Sequence, residues 1–379
     1  KQNPQSAILS GLVGSEMCIR DSGIRPAYYY KDDEVVVVAS ERPAIQTAFN
    51  VGQKMIKELD PGNAIVIKSN GTTKIKSVIK AKENKSCSFE RIYFSRGNDA
   101  DIYRERKNLG KLLMPTVLEE INYNIKKTVF SYIPNTAETS FYGMIESVEE
   151  YLNSRKSEEI IGKKGLSEKK IKEILSVRPR IEKIAVKDVK LRTFITQDDS
   201  RDEMVAHVYD ITYGSLRRNK DSVVIIDDSI VRGTTLKQSV IRILDRLDPL
   251  KIVIVSSAPQ IRYPDCYGID MAILGDFVAF QAAIELLKDN KMQSVIEDVY
   301  TKCKSQIKLP KEEMQNYVKE IYSPFTAKQI SSKISSILTP KDVNSEVEII
   351  YQSIEDLHVS CLLYTSDAAD EGLGVDLGG

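Results

Sequence analysis

The chain has 379 residues, and its 54 lysines and arginines are balanced by 54 aspartates and glutamates, so its formal net charge is zero. That length supports two or three domains with a sizeable core, and the balance argues against an extended nucleic-acid surface. No apolar run approaches a membrane span, and the five cysteines (Cys18, Cys87, Cys266, Cys303, Cys361) form no CxxC pair and no evident disulfide framework, which favours a reducing, cytoplasmic setting.

Residues 1–22 read poorly as a domain start: residues 7–14 are mostly apolar, but a basic leader region and a cleavage site are missing. Residues 15–22 and 361–371 resemble translated sequencing adapters, and a Gly-rich run follows to Gly379. Both segments, 1–22 and 361–379, are expected to be artefactual, with no function and little order. Residues 23–88 alternate strand-like runs and turns. Val35-Val36-Val37-Val38 and Ala64-Ile65-Val66-Ile67 read as buried strands, residues 42–49 as a short helix, and Asp60-Pro61-Gly62-Asn63 as a turn. Val129-Phe130-Ser131-Tyr132-Ile133-Pro134 reads as a strand, and a polar loop through Ser140 leads to a helix at Phe141. Residues 145–180 are highly charged and read as a solvated helical excursion with a break at 154–159. His207 and His358 read as structural.

Residues 223–235 carry the strongest signal. Val223-Val224-Ile225-Ile226 is a run of β-branched apolar residues, as expected for a strand buried on both faces of a parallel sheet. Asp227 and Asp228 follow where that strand ends, then Ser229, then the turn Arg232-Gly233-Thr234-Thr235, then helical spacing over 236–244. Ligands of open α/β sheets bind at the carboxyl ends of strands. Backbone N–H groups and two hydroxyls at a helix start favour a phosphate. The two carboxylates can accept hydrogen bonds from vicinal sugar hydroxyls or hold Mg²⁺. Acceptors for hydroxyls beside donors for a phosphate suggest a ribose 5-phosphate. A plain Asp-Asp-Ser helix cap is the ordinary alternative for the acids alone.

The whole string resembles the phosphoribosyl-pyrophosphate (PRPP) signature of type I phosphoribosyltransferases, and in its specific form that of the glutamine PRPP amidotransferases. Tyr267-Gly268-Ile269-Asp270-Met271 and Tyr351-Gln352-Ser353-Ile354-Glu355-Asp356-Leu357 are similar to further segments of that family, and Leu191-Arg192-Thr193-Phe194-Ile195 to its PRPP-covering loop. Tyr93-Phe94-Ser95-Arg96 is similar to a family strand, and Arg106 and Gly110 match a following helix. The resemblance implies an α/β type I phosphoribosyltransferase fold over 89–360, a parallel sheet flanked by helices. It is preceded over 23–88 by the remnant of an N-terminal-nucleophile glutaminase domain. No cysteine nucleophile precedes Gly23 outside the adapter-like string, so glutamine-dependent activity is expected to be absent. The implied reaction joins PRPP and ammonia to give 5-phosphoribosylamine and pyrophosphate in purine synthesis. PRPP would be bound by Asp227, Asp228, Ser229, Arg232, Gly233, Thr234, Thr235, Glu138, Thr139 and Arg192. Mg²⁺ would lie near Ser140, Asp227 and Asp228, and no iron–sulfur cluster is expected. Purine nucleotides as feedback inhibitors and a homo-oligomer are implied in the same way. A salvage phosphoribosyltransferase acting on a free base and a non-catalytic PRPP-binding regulator are the rival readings.

Overall fold

The computed structural model describes residues 23–68, 71–82, 86–187, 209–264, 273–310, 313–361 and 365–366. Arg192, His207 and residues 267–271 lie outside them. The chain divides into two compact units, one running to Glu105 and taking in Cys361, the other running from Arg106 to Ser360.

In the first unit, β1 (Tyr28–Lys31) is the centre of an antiparallel sheet. It is flanked by β2 (Val36–Ala39), with α1 (Arg42–Phe49) following, and by β3 (Lys57–Glu58). A small core of Tyr30, Ile45 and Ile56 holds it. β4 (Asn63–Ile67) and β5 (Thr73–Ser77) form a separate antiparallel hairpin. The strands expected at 35–38 and 64–67 therefore exist, but they are not buried: Val38 is 47% and Ile67 49% exposed. Two-stranded and three-stranded sheets with so small a core have little apolar surface to cover them. β6 (Ser86–Cys87) precedes a wide helical turn, Glu90–Phe94, where a strand was expected. Phe89 stacks on Tyr93, four residues on, at 5.3 Å, and the Ser95 N–H donates to the Glu90 carbonyl five residues back at 2.7 Å. Aromatic spacing that closes on one helical face overrides the β preference of the Tyr-Phe pair. Helix α2 (Ala100–Glu120) follows.

The second unit is built on a parallel sheet. β7 (Thr128–Tyr132) leads to α3 (Glu138–Gly162) and α4 (Glu168–Ser176), then to β8 (Arg180–Ile181) and β9 (Ala185–Lys187). After β10 (Tyr209–Ile211) come β11 (Ser222–Asp227), a helix from Leu236 that continues as α5 (Ile241–Asp245), and β12 (Lys251–Ser256). The helices α6 (Val278–Asp289), α7 (Gln293–Ser305), α8 (Lys319–Tyr322) and α9 (Ala327–Leu338) precede β13 (Glu346–Tyr351) and α10 (Ile354–Ser360), and β14 (Thr365–Ser366) ends the described chain. The central sheet has the order β13-β12-β11-β7-β8, with every pairing parallel. β9 and β10 pair with each other, antiparallel. Alternate residues of the strands fill two cores. Val129, Val223, Ile225, Ile252 and Ile254 pack with α5, α6 and α9. Phe130, Val224, Ile226, Val253 and Val255 pack with α2 and α3. Continuous apolar strands are what a sheet covered on both faces requires.

The charged excursion departs from expectation in two ways. The excursion has no break at 154–159, because α3 runs unbroken to Gly162. The charges of that stretch form helical pairs, Arg155–Glu158 at 3.0 Å and Glu159–Lys163 at 2.8 Å, which support the helix. Its first half is not fully solvated, since Ile145, Val148 and Leu152 are buried. In the tail read as adapter-derived, Thr365–Ser366 pairs with Ser86–Cys87 and Cys361 is 3% exposed. Among the described residues no helix is long and apolar enough to cross a membrane.

Candidate functional site

The site forms where β7 and β11 end side by side. Tyr132 pairs with Ile226, and the Ile133 N–H donates to the Ile226 carbonyl at 2.8 Å, so the loops leaving the two strands are neighbours. Asp227 is the last residue of β11, and its Oδ1 accepts the Asp228 N–H at 2.9 Å. The Ser229 hydroxyl donates to Asp228 Oδ1 at 3.1 Å. The Ser257 N–H donates to the Asp227 carbonyl at 2.9 Å, and its hydroxyl to the Asp228 carbonyl at 3.1 Å, so the end of β12 braces the acidic pair.

Burial pushes the Asp228 carboxyl above the usual carboxylate range, while hydrogen bonds from Ser229 and Thr136 and the charge of Arg106 pull it back. Thr136 belongs to the loop after β7, and Arg106, only 4% exposed, to α2. Three separate segments thus converge on one carboxyl. Arg106 is one of the two helix residues that match the family pattern, whereas Thr136 carries no sequence signal beyond its place in a polar loop.

The turn after the acids is shaped by Gly233, whose φ is +70°. A Cβ there would lie 2.6 Å from both terminal methyls of Leu338 at the end of α9. Thr234 and Thr235 are exposed, and Arg232 faces Asp276 at 3.5 Å. The turn leads straight into helix, with the Lys237 N–H donating to the Gly233 carbonyl at 2.9 Å. Exposed hydroxyls at such a start are placed for an anion.

Glu138, Thr139 and Ser140 fall in the first turn of α3, rather than in a loop ahead of it. Glu138 Oε1 accepts from the Tyr142 hydroxyl at 2.6 Å and from that of Tyr132 at 3.3 Å. Ser140 is 1% exposed. The start of α3 is pinned by a close helix crossing: a Cβ on Gly110 of α2 would lie 1.7 Å from the Ser140 carbonyl oxygen, and one on Gly143 the same distance from that of Lys107. Gln352, in the terminal segment matched by the family, is 4% exposed and donates to the Leu109 carbonyl at 2.9 Å, so its role is to tie β13 to α2.

Among the described residues no group of three or more His, Cys, Asp or Glu side chains could hold a metal alone. Two adjacent carboxylates at a strand end do suit Mg²⁺, which typically takes one or two carboxylates and completes its shell with water and substrate phosphates.

No family model matches the chain. Curated relatives called amidophosphoribosyltransferase match the chain: that of Escherichia coli is 26% identical over 296 residues, covering 74% of this chain and 51% of its own. That of Pseudomonas aeruginosa is 25% identical over 258 residues, covering 66% and 44%, and that of Saccharomyces cerevisiae 24% identical over 310 residues, covering 77% and 54%. The chain spans about half the length of the curated relatives it matches. Among solved structures, the glutamine PRPP amidotransferase of B. subtilis, determined with ADP and GMP, superposes with a TM-score of 0.56 at 21% identity, over 95% of this chain and 60% of that one. By sequence similarity and by its α/β fold, the chain is a homologue of the amidophosphoribosyltransferases.

Proposed function

We propose that this chain binds PRPP with Mg²⁺ and transfers its phosphoribosyl group to ammonia, giving 5-phosphoribosylamine and pyrophosphate. The observation that carries this reading is the junction of β7 and β11. Two carboxylates, one of them braced from three segments, stand beside a glycine-shaped turn with exposed hydroxyls. Asp227 and Asp228 would accept the ribose hydroxyls, and their charge suits the electron-poor anomeric carbon of glycosyl transfer. Ser229 and Thr136 keep the Asp228 acceptors in place. Arg232, Gly233, Thr234 and Thr235 would grip the 5-phosphate and fix the ring. Glu138 and Thr139, at the start of α3, would line the pyrophosphate side, with the buried Ser140 behind them. Arg192 is assigned to the covering loop on sequence alone. Asp227, Asp228 and Ser140 would hold Mg²⁺, which neutralises a departing pyrophosphate. No protein nucleophile is required.

The reading places the chain in the cytoplasm, in purine synthesis and in a homo-oligomer, with purine nucleotides as regulatory partners and no iron–sulfur cluster. The test is calorimetric binding of PRPP with Mg²⁺, followed by pyrophosphate release with ammonium, adenine or guanine as acceptor. Ammonium-dependent release is expected. D228N should weaken PRPP binding by at least about tenfold, the loss of a hydrogen bond to a charged group. Release with a free base and not with ammonium would instead make the chain a salvage enzyme, and binding without release a PRPP sensor.

A further inference from the structure

The charged excursion holds a groove that the reaction does not use. It lies between α3 and α4, encloses about 500 Å³, and is lined by Lys126, Lys156, Lys163 and Lys170 over an apolar floor that includes Leu152 and Ile174. Each carboxylate on its wall is already taken: Glu158 by Arg155 at 3.0 Å, Glu159 by Lys163 at 2.8 Å and Glu173 by Lys170 at 2.9 Å. Lys126 and Lys156 have no carboxylate within ion-pair distance among the described residues. Lys156 is 8% exposed and lines the groove; its partial desolvation and the charge of Arg178 disfavour its ammonium form, and the charge of Glu149 acts in the opposite sense. The Lys156 stem is packed while its ammonium, which is not among the buried unpartnered groups, opens to the groove.

We propose that this groove binds a small phosphate monoester, its dianion held by Lys126 and Lys156 and its apolar portion resting on Leu152, Ile174 and Val177. Two ammonium groups match the charge of one phosphate dianion, and each makes charge-assisted hydrogen bonds to its oxygens. The three paired carboxylates on the rim disfavour an extended polyanion, which would pass over them, and favour a ligand that fits between them.

Titration calorimetry on the full chain tests this with phenyl phosphate, inorganic phosphate and phenol as probes. Phenyl phosphate should bind saturably and more tightly than inorganic phosphate, and phenol should not bind. K156M and K126M should each weaken phenyl phosphate by about tenfold, K156R should restore most of the loss, and K164M, outside the groove, should change nothing. Lys126 is exposed, so K126M decides the matter should K156M fold poorly. Absence of saturable binding overturns the proposal. So does binding that weakens in T235V, at the turn after β11, but is indifferent to both Lys126 and Lys156.

Discussion

Asp228 owes its properties to residues far from it in sequence. Its carboxyl is raised by burial and must be ionised to accept sugar hydroxyls or hold a cation. PRPP binding should therefore be complete above the raised value and be lost as pH falls through it, at higher pH than an ordinary aspartate would dictate. Arg106 favours the ionised form, so R106M should move this acid limb further up. PRPP affinity measured against pH in both proteins checks the point, and coincident curves would remove Arg106 from the account. Gly233 offers a second test. G233A adds a methyl 2.6 Å from the Leu338 side chain and forces an L-residue to φ +70°. Shortening Leu338 with L338A relieves only the collision, so the G233A/L338A double variant should still carry the backbone cost of about 1–2 kcal/mol, measured by denaturant unfolding. Asp227, Asp228 and the turn were legible in the sequence because a strand end and a helix start fall within one short run. Thr136 and Ser257 were not, because nothing local marks a hydroxyl that reaches the Asp228 carboxylate, or its backbone carbonyl, from another segment.

The start of α3 is positioned by contact between two helix backbones. At Gly110 an added methyl meets the Ser140 carbonyl, and backbone inside two packed helices cannot step aside. Alanine normally gains about 1 kcal/mol over glycine within a helix, yet here overpacking of about 2 kcal/mol or more should exceed that gain. G110A should thus lower stability and, by displacing Glu138 and Thr139, weaken PRPP more than it weakens a ligand in the α3–α4 groove. Thermal melts with parallel titrations distinguish this from uniform unfolding. The same contrast governs which elements could be read in advance. β11 and β12 carry unbroken apolar runs, residues 223–226 and 252–255, and β7 buries Val129 and Phe130, because both faces of the sheet are covered. β2 and β4 carry equally apolar runs, yet they sit in small sheets that leave Val38 and Ile67 half exposed. An apolar run reports a strand without reporting its neighbours. Continuous α3 was hidden for a related reason: the charges at 155–163 look like a break until their three- and four-residue spacing is seen as pairing along one helix.

At the scale of the whole second unit, the sheet has its candidate site at the carboxyl ends of the strands and an ionic lock at the opposite ends. Asp221, immediately before β11, is fully buried. Its carboxylate accepts from Arg180 on the edge strand β8 at 2.5 Å and from Arg217 at 2.6 Å and, through the backbone N–H, at 2.8 Å. Arg180 also donates to the Ser215 carbonyl and Arg217 to that of Lys126, so one buried charge joins the edge strand, the segment entering β11 and the residues before β7. Burial pushes this carboxyl up, but the hydrogen bonds from Arg217 and Arg180 prevail and bring it from 3.8 to about 2. A carboxyl lowered on folding adds stability that is fully present above the unfolded value and is lost as pH falls through the folded one. The window is therefore pH 4 to 2, and the contribution is roughly 2 kcal/mol. D221N leaves the guanidinium groups without their shared anion and should cost about 3–5 kcal/mol at neutral pH. It should also flatten the fall in stability across that acid window. Urea unfolding of both proteins from pH 5 down to pH 2 measures the two effects separately, and an unchanged acid slope in D221N would mean that other carboxylates close the sheet.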